Sequence, residues 1–220
     1  MDATVPQHLK IDFVSDVSCP WCVIGLKSLQ QAVANLDGEV AVDIHFQPFE
    51  LNPNMAPEGQ DIGEHLAQKY GAAPEQMAQT REAIRARGAE LGFTFDMGAR
   101  ARIYNTFDAH RLLHWAEQEG HQLELKQALF KAYFTDGKNP GDHAVLTAAA
   151  AAVGLDAARA AHILASDEFA QEVRAQEALY QGNGIHAVPA VIINDRHLIQ
   201  GGQSVKTFEG ALRQIAAEAA

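Results

Sequence analysis

The chain has few cysteines, no long apolar run and no surplus of basic residues, and each shortage excludes a class of protein. Only Cys19 and Cys22 occur among 220 residues, too few for a disulfide-stapled domain or a four-cysteine zinc site. The 17 basic residues against 28 acidic ones give a net charge of −11, which disfavours nucleic acid and anionic membranes as partners. The longest apolar stretch, Ala148 to Val153, is much shorter than a membrane span.

The N-terminal segment also lacks the features of an export signal, because residues 1–8 contain neither a basic region nor an apolar one. We therefore expect a cytoplasmic protein. Thiols in that compartment are mostly kept reduced, and a disulfide there is usually transient and catalytic. This location favours a pair of cysteines that turns over during a reaction rather than one that cross-links the chain permanently.

The two cysteines form the motif Cys19-Pro20-Trp21-Cys22, which follows an apolar-rich run at Leu9 to Val14 and opens a stretch with helical spacing. A strand that leads into a helix through C-x-x-C is typical of a thioredoxin-like redox site. Cysteines three positions apart share one helix face and are close enough to bridge. The first lies at the helix N-terminus, where unpaired N–H groups and the helix dipole favour a thiolate. We therefore predict Cys19 as the nucleophile and Cys22 as the resolving thiol.

Three other interpretations of the cysteine pair stay open at this point. A zinc site would need further ligands, and the histidines offer only His110 and His114 at a helical spacing. A structural disulfide across so short a loop would stabilise the chain by only about 2 kcal/mol. Two ordinary buried cysteines could also be neighbours by chance. Redox chemistry is favoured over all three because a second element of the sequence agrees with it.

That second element is Gly184 to Pro189, directly before a short apolar strand at Ala190 to Ile193. A cis peptide bond between Val188 and Pro189 would turn the Val188 backbone toward the sulfurs. Its N–H and C=O groups could then pair with an extended peptide, as in strand addition. His186 precedes this proline by three residues and is a candidate for moving a proton, although a surface histidine is the simpler interpretation.

Two further residues bear on the chemistry of the thiols. Trp21 lies between them, and we expect its ring to cover the disulfide and to line the docking surface. An ordinary cysteine pKa near 8.5 leaves only about 3% thiolate at pH 7. We predict a lower pKa for Cys19, since the helix N-terminus favours its charged form. Asp16 would oppose this shift if it lay close. We predict no metal site.

Apolar patterning divides the chain into three parts. The first is a β-α-β unit at residues 9–49, the second is helical throughout, and the third returns to strands at Ala190 to Ile193 and His197 to Gln200 before a last helix. This order predicts a thioredoxin-like α/β fold interrupted by an inserted all-helical domain. We place the thioredoxin-like domain at 1–55 and 183–220 and the inserted domain at 56–182. Capping signals predict seven helices in the insert, among them one capped by Asp167.

These segments together resemble the FrnE-like branch of the DsbA family, in which a thioredoxin fold carries a helical insertion. The resemblance spans nearly the whole chain, and it is strongest at Asp12 to Cys22, Pro48 to Pro53, Tyr104 to Arg111, Leu129 to Phe134 and Gly184 to Asn194. It implies thiol–disulfide exchange with Cys19 as nucleophile, Cys22 as resolving thiol and Pro189 as the cis-proline. Pro20, Trp21 and Val188 would support the site. We expect no bound cofactor, thiols or disulfides of proteins or small molecules as partners, and glutathione as a candidate co-substrate.

The chain departs from the family's pattern in its motif and in its first strand. The dipeptide between the thiols is Pro20-Trp21, where secreted DsbA proteins have Pro-His, and no export signal precedes it. Phe13 stands six residues before Cys19, where many thioredoxin-fold oxidoreductases bury an acid that helps to move the resolving proton. Water or His186 would have to substitute for that acid.

Two alternative functions belong to other classes. Kappa-class glutathione transferases and 2-hydroxychromene-2-carboxylate isomerases are similar in architecture, but they usually place serine at the position of Cys19, so the second thiol favours redox chemistry. A thiol-binding or chaperone module is the non-enzymatic alternative, and it predicts partner binding that survives the loss of both cysteines.

Overall fold

The computed structural model describes residues 6–71 and 73–219. Residues 1–5, part of the segment in which we found no export-signal pattern, lie outside the described residues. In chain order the elements are β1 (Gln7–Ser15), α1 (Pro20–Asn35), β2 (Val40–Pro48), β3 (Gln60–Asp61), α2 (Ile62–Tyr70), α3 (Pro74–Glu90), β4 (Arg102–Ile103), α4 (Phe107–Gln118), α5 (Gln122–Phe134), α6 (His143–Ala152), α7 (Ala157–Leu164), α8 (Ala170–Gly182), β5 (Ala190–Ile193), β6 (His197–Gln200) and α9 (Val205–Ala219).

A four-stranded sheet joins the two ends of the chain, with the strand order β2-β1-β5-β6. Strand β1 lies in its interior, parallel to β2 and antiparallel to β5. The register pairs Val14 with Gln47 on one side and with Ala190 on the other. The C-terminal end of β1 therefore reaches the start of β5, and the residues that follow Ser15 come to lie beside those that precede Ala190.

Apolar side chains from both ends of the chain form the core around this sheet. Helices α1 and α9 contact each other and contribute Leu26, Leu29, Phe208 and Leu212, all with at most 1% of their surface exposed. The same core includes Phe130, Tyr133 and Phe134 of α5, so one helix of the insert packs directly into it. A second core lies among α4, α5, α6 and α7 and consists mainly of alanine and leucine side chains.

The helices begin where side chains can accept the free N–H groups of their first turns. Asp61, Asp142 and Asp156 each accept two backbone N–H groups at the starts of α2, α6 and α7. The Ser204 hydroxyl accepts one such group at the start of α9, the N–H of Thr207 at 3.1 Å. Pro20 opens α1 in the first turn, where its missing N–H would have no partner in any case.

The predicted fold class is confirmed, since strands from both ends share one sheet and the helical segment lies between them in sequence. The division at 55/56 and 182/183 stays a prediction. Two details of the prediction are wrong. The insert is not purely helical, because β3 and β4 form a short antiparallel pair within it. Asp167 is also not a helix cap: α8 begins three residues later, after Phe169, whose φ of 63° interrupts the helical path.

Gly25 lies where α1 packs against the loop that contains Pro189. A Cβ atom at this position would lie 3.1 Å from Pro189 Cγ and 3.5 Å from the Phe13 ring. Close packing therefore favours glycine at this position, against the cost of about 1 kcal/mol that glycine has in a helix interior.

We expect Gly25→Val to destabilise the protein by about 1–3 kcal/mol, because its methyl groups would have to enter the occupied space beside Pro189. Gly210→Ala is the matched control, since Gly210 is exposed in α9 and a Cβ there meets no atom within 4 Å. It should be neutral or stabilise by up to about 1 kcal/mol. Urea unfolding midpoints measure both changes, and a Gly25→Val protein as stable as the control would contradict the close packing.

Candidate functional site

The two thiols lie at the beginning of α1 and differ in depth. Cys19 is the cap residue of the helix, with extended backbone angles, and Cys22 lies one turn further in. The backbone N–H of Cys22 donates to the carbonyl of Cys19 at 3.1 Å, which closes the first turn. Cys19 is 4% exposed and lines a cleft, whereas Cys22 is fully buried behind it. Both are free thiols in the structure.

The loop before β5 faces Cys19 from the far end of the chain. Cys19 Sγ lies 3.7 Å from the carbonyl oxygen of Val188, and the Val188–Pro189 peptide bond is cis. The carbonyl of Pro189 accepts the N–H of Gly201 at 2.8 Å, which ties the loop to the segment after β6. Gly202 lets that segment approach α1, because a Cβ there would lie 2.9 Å from the carbonyl oxygen of Trp21.

The pKa of Cys19 is lowered from its ordinary value. The hydrogen bond from the Cys22 thiol makes the largest contribution, and the backbone N–H groups of Cys22 and Trp21 add to it. Burial and the negative charge of Asp16 act in the opposite direction. The thiolate is therefore stabilised by donors of its own helix, as expected at a helix N-terminus.

The pKa of Cys22 is raised well above its ordinary value, chiefly because the side chain is buried. The Cys19 sulfur raises it further, both by accepting the Cys22 hydrogen bond and by its charge. One thiol is thus poised to lose its proton and the other to keep it. This difference supports the roles that we predicted for Cys19 and Cys22, although the roles themselves stay predictions.

Asp16 is a buried carboxylate in the turn between β1 and α1. Burial alone would raise its pKa, but His110 and the backbone N–H groups of Leu51 and Ser18 outweigh burial and hold the pKa below its usual range. Leu51 N lies 2.7 Å from Oδ2 and Ser18 N 3.0 Å from Oδ1. The opposing charge that we anticipated from Asp16 is therefore present, and it is anchored by groups from the insert and from the loop after β2.

A cleft of about 960 Å³ opens above Cys19. The thioredoxin-like part supplies its floor, with the C-x-x-C motif and the Val188 loop, while α2, α3 and the segment before β4 supply its roof and walls. Its charged lining is mainly basic, with Lys69, Arg81 and Arg100 against Glu50, and Glu50 is itself paired with Arg174. A cationic cleft in a chain with a net charge of −11 favours an anionic substrate over a cationic one.

The other predicted site residues lie around the same cleft. Pro20, Trp21, His186 and Val188 all line it, and Trp21 is 38% exposed, as a docking surface requires. The side chain of His186 is exposed to solvent. Its proposed part in moving a proton stays a prediction.

The sequence analysis missed two buried cations near the thiols. Arg100 stacks on the rings of Tyr133 and Phe134, with its guanidinium 5.0 and 4.9 Å from their centroids, and its Nη2 lies 3.5 Å from the carbonyl of Ser18. Lys126 is fully buried on α5. For Lys126 the only available signal was a charged residue beside Leu125 on the apolar face of a predicted helix, whereas Arg100 lies outside every predicted helix and offered no such signal.

Residues 6–71 and 73–219, the part of the chain that the structure describes, contain neither a candidate metal-binding cluster nor a candidate membrane-spanning helix. No group of three or more His, Cys, Asp or Glu side chains is arranged to hold a metal ion. None of the helices combines the length and the apolar character that a membrane-spanning segment needs.

Removing the hydrogen bond from Cys22 should raise the pKa of Cys19. Cys22→Ala lacks any donor, whereas Cys22→Ser keeps a hydroxyl group that can donate from the same place. We expect the thiolate absorbance of Cys22→Ser to titrate below the ordinary value of about 8.5 and that of Cys22→Ala to titrate at higher pH. Each variant has a single thiol, so the measurement reports Cys19 alone. Equal midpoints would show that the Cys22 donor is not the main cause.

Two proteins show sequence similarity over nearly the full chain. The uncharacterized protein YwbO of Bacillus subtilis is 28% identical over 207 residues, which cover 93% of this chain and 95% of that protein. The crystal structure of a probable DsbA oxidoreductase from Streptomyces coelicolor is 31% identical, with a TM-score of 0.89 and coverage of 96% of this chain and 91% of that one.

Two more distant structures share the fold at low identity. A 2-hydroxychromene-2-carboxylate isomerase is 13% identical with a TM-score of 0.68, covering 96% of this chain and 97% of its own. The cytosolic disulfide reductase DsbM from Pseudomonas aeruginosa, solved with GSH, is 16% identical with a TM-score of 0.66, covering 94% and 99%. At such low sequence identity the similarity shows a shared fold only. One of the two proteins is an isomerase and the other a reductase.

The family model for the DSBA-like thioredoxin domain matches residues 10–213, which include both cysteines, the whole insert and the Val188 loop. The predicted relation to DsbA is confirmed, while the FrnE-like branch stays a prediction. The chain belongs to the family of DsbA-like thioredoxin-domain proteins.

Proposed function

We propose that this protein is a cytoplasmic dithiol–disulfide oxidoreductase of the FrnE-like branch, with Cys19 as nucleophile and Cys22 as resolving thiol. One observation carries the proposal: a thiol with a lowered pKa lines the cleft at a helix N-terminus, and a second thiol with a raised pKa lies directly behind it. The long helical segment between the halves of the sheet supports the branch. The cytosolic disulfide reductase DsbM, a protein of the same fold, supports the location.

The exchange would proceed in two displacements. The Cys19 thiolate attacks one sulfur of a substrate disulfide, a bond forms between the two, and the other substrate sulfur leaves as a thiolate. Cys22 then loses its proton and attacks Cys19 Sγ. The Cys19–Cys22 bond forms, the bond to the substrate breaks, and the second substrate thiolate leaves. The substrate disulfide has gained two electrons and the enzyme dithiol has lost them.

The Val188 loop is suited to guide the first displacement. Its carbonyl oxygen lies 3.7 Å from the nucleophilic sulfur, so a peptide that pairs with this backbone would hold its own sulfur beside Cys19. Orientation of this kind lowers the barrier because the reacting atoms no longer have to find each other. Trp21, which is 38% exposed beside the thiol, would cover the apolar part of the bound disulfide.

The presence of Cys22 favours redox exchange over the isomerase or transferase alternative. Those reactions need one activated group at the position of Cys19 and have no use for a second thiol with a raised pKa. Glutathione remains the candidate thiol co-substrate, since it is small and carries two carboxylates that suit the basic lining of the cleft. The structure of DsbM with GSH shows the tripeptide with a protein of the same fold, which supports this proposal.

Replacing either thiol should separate the two displacements. We expect Cys19→Ser to abolish both turnover and covalent capture of substrate, because no nucleophile remains. Cys22→Ser should lose dithiol-dependent turnover yet accumulate a mixed disulfide on Cys19, since the resolving step is blocked. Mass spectrometry after incubation with oxidised glutathione detects the adduct. A Cys22→Ser protein with undiminished turnover would rule out the dithiol mechanism and favour the transferase or isomerase alternative.

Removing a positive charge from the cleft lining should weaken the binding of an anionic disulfide but not that of an uncharged one. We expect Arg81→Gln to raise the KM for oxidised glutathione by about two- to fivefold, the effect of losing one partly exposed ion pair. The KM for the uncharged hydroxyethyl disulfide should not change. Arg87→Gln, on the same helix but outside the cleft lining, is the matched control. A parallel change in KM for both substrates would contradict a role for charge in selecting the substrate.

A further inference from the structure

Lys126 of α5 is a fully buried cation whose ammonium nitrogen has no hydrogen-bond partner. The nitrogen lies 5.2 Å from the centroid of the Phe130 ring and 5.6 Å from that of the Phe46 ring. These rings attract a positive charge, but less strongly than the water that the ammonium has lost. A lysine in such a place usually has an anionic partner, so its surroundings call for an explanation.

The acidic groups that act electrostatically on Lys126 belong to the redox centre. They are Cys22 and Cys19 of α1 and Asp16 of the preceding turn, while β2 faces it with the Phe46 ring. Burial lowers the pKa of Lys126 to about 8, and the three acidic groups oppose that shift. In turn, Lys126 is the group that draws the pKa of Cys22 downward most strongly. The amine and the resolving thiol thus influence each other's protonation.

Resolution needs a proton acceptor at this position. Cys22 is fully buried, so bulk water does not touch its sulfur, and its thiol must lose a proton before it can attack. The first strand offers no help, because Phe13 is a buried aromatic residue that can neither accept nor donate a proton. His186, the substitute that we considered from sequence, is exposed at the cleft, whereas Lys126 lies in the interior with Cys22.

We propose that Lys126 is the proton acceptor for Cys22 in the resolving step, an inference that rests on the dithiol function proposed above. The neutral amine takes the proton of the Cys22 thiol and becomes an ammonium group, and the Cys22 thiolate attacks Cys19 Sγ. The Cys19–Cys22 bond forms as the bond between Cys19 and the substrate breaks, and the substrate leaves as a thiolate. When the Cys19–Cys22 disulfide is next reduced, Lys126 gives the proton back to Cys22, which becomes a thiol again.

The mixed disulfide itself would prepare the lysine for this role. While Cys19 is a thiolate, its charge helps to hold the proton on Lys126. Once Cys19 is bonded to the substrate, that charge is gone, and one of the three groups that favour the ammonium form is lost. The same event removes the Cys19 charge that holds the proton on Cys22. Capture of substrate therefore makes the amine more available and the thiol more acidic.

The chromogenic disulfide DTNB separates the two displacements in one trace. The first thionitrobenzoate appears when Cys19 attacks, and the second appears in an intramolecular phase when Cys22 resolves the adduct. In the unsubstituted protein we expect the rate of the second phase to rise with pH and to level off with a midpoint at or below about 8, following the lysine. A rate that keeps rising with pH without any break in that range would overturn the proposal, and this measurement needs no variant.

Lys126→Met tests the residue directly, because methionine fills similar space without the charge or the proton-accepting nitrogen. We expect the second phase to slow by about 10²-fold or more and to lose its break near pH 8, as for removal of a general base. The first phase should change little. The urea midpoint should stay equal or rise, since a buried charge without a hydrogen-bond partner has been removed. Lys131→Met is the matched control: it makes the same change on the same helix, at an exposed lysine paired with Asp136.

The outcomes separate this inference from the function on which it rests. An unchanged second phase in Lys126→Met would overturn the role of the lysine while leaving the dithiol mechanism intact. A parallel loss of stability and of both phases would assign Lys126 a structural role and would also overturn the proposal. A protein that releases only one thionitrobenzoate even with both thiols in place would instead contradict the proposed function itself.

Discussion

Stabilising the thiolate form of a sulfur that is almost entirely enclosed by protein is the constraint on which the rest of the site depends. Cys19 is 4% exposed, and its thiolate is stabilised by the Cys22 thiol and by the first N–H groups of α1 rather than by water. Asp16 adds a second buried negative charge beside it, which His110 and the N–H groups of Leu51 and Ser18 stabilise. The insert and the loop after β2 thus take part in the electrostatics of the thiol as well as in the shape of the cleft.

The position of β1 inside the sheet brings the thiols together with a loop from the other end of the chain. Because β1 pairs with β2 on one side and β5 on the other, its end brings Cys19 to the loop before β5, 169 positions away in sequence. Glycines at 25 and 202 remove the side chains that would otherwise hold α1 away from that loop and from the segment after β6. The sulfur and the Val188 carbonyl therefore meet through strand register and through close approach of backbone, and neither condition is local to the C-x-x-C motif.

The sequence was sufficient for the parts of the structure that have local signals. The strands, the helix caps at Asp61, Asp142, Asp156 and Ser204 and the thioredoxin-like order all follow from period and capping chemistry. The features that the sequence did not predict have one physical cause in common, because tertiary contacts determine each of them. The pair β3 and β4 is too short to show a period, and the start of α8 is set by the backbone angles of Phe169 rather than by the cap-like Asp167. Lys126 has the same cause, because its place on the apolar face of a predicted helix does not reveal that the amine stays buried instead of reaching solvent.

In the mechanism proposed above, two parts of the inserted segment act on different steps. Helices α2 and α3 wall the cleft in front of Cys19, where their charges bear on which disulfide is captured. Helix α5 packs behind α1 into the central core, where its lysine bears on how the captured disulfide is released. Phe13 stands where many thioredoxin-fold oxidoreductases have a buried acid, and the nearby Asp16 is a weaker base because His110 and the N–H groups of Leu51 and Ser18 stabilise its carboxylate. The proposed mechanism therefore makes a helix of the inserted segment part of the redox centre. On this basis the helical segment is as much a determinant of resolution as of substrate choice, and changes in its buried face should alter the chemistry even where the cleft is untouched.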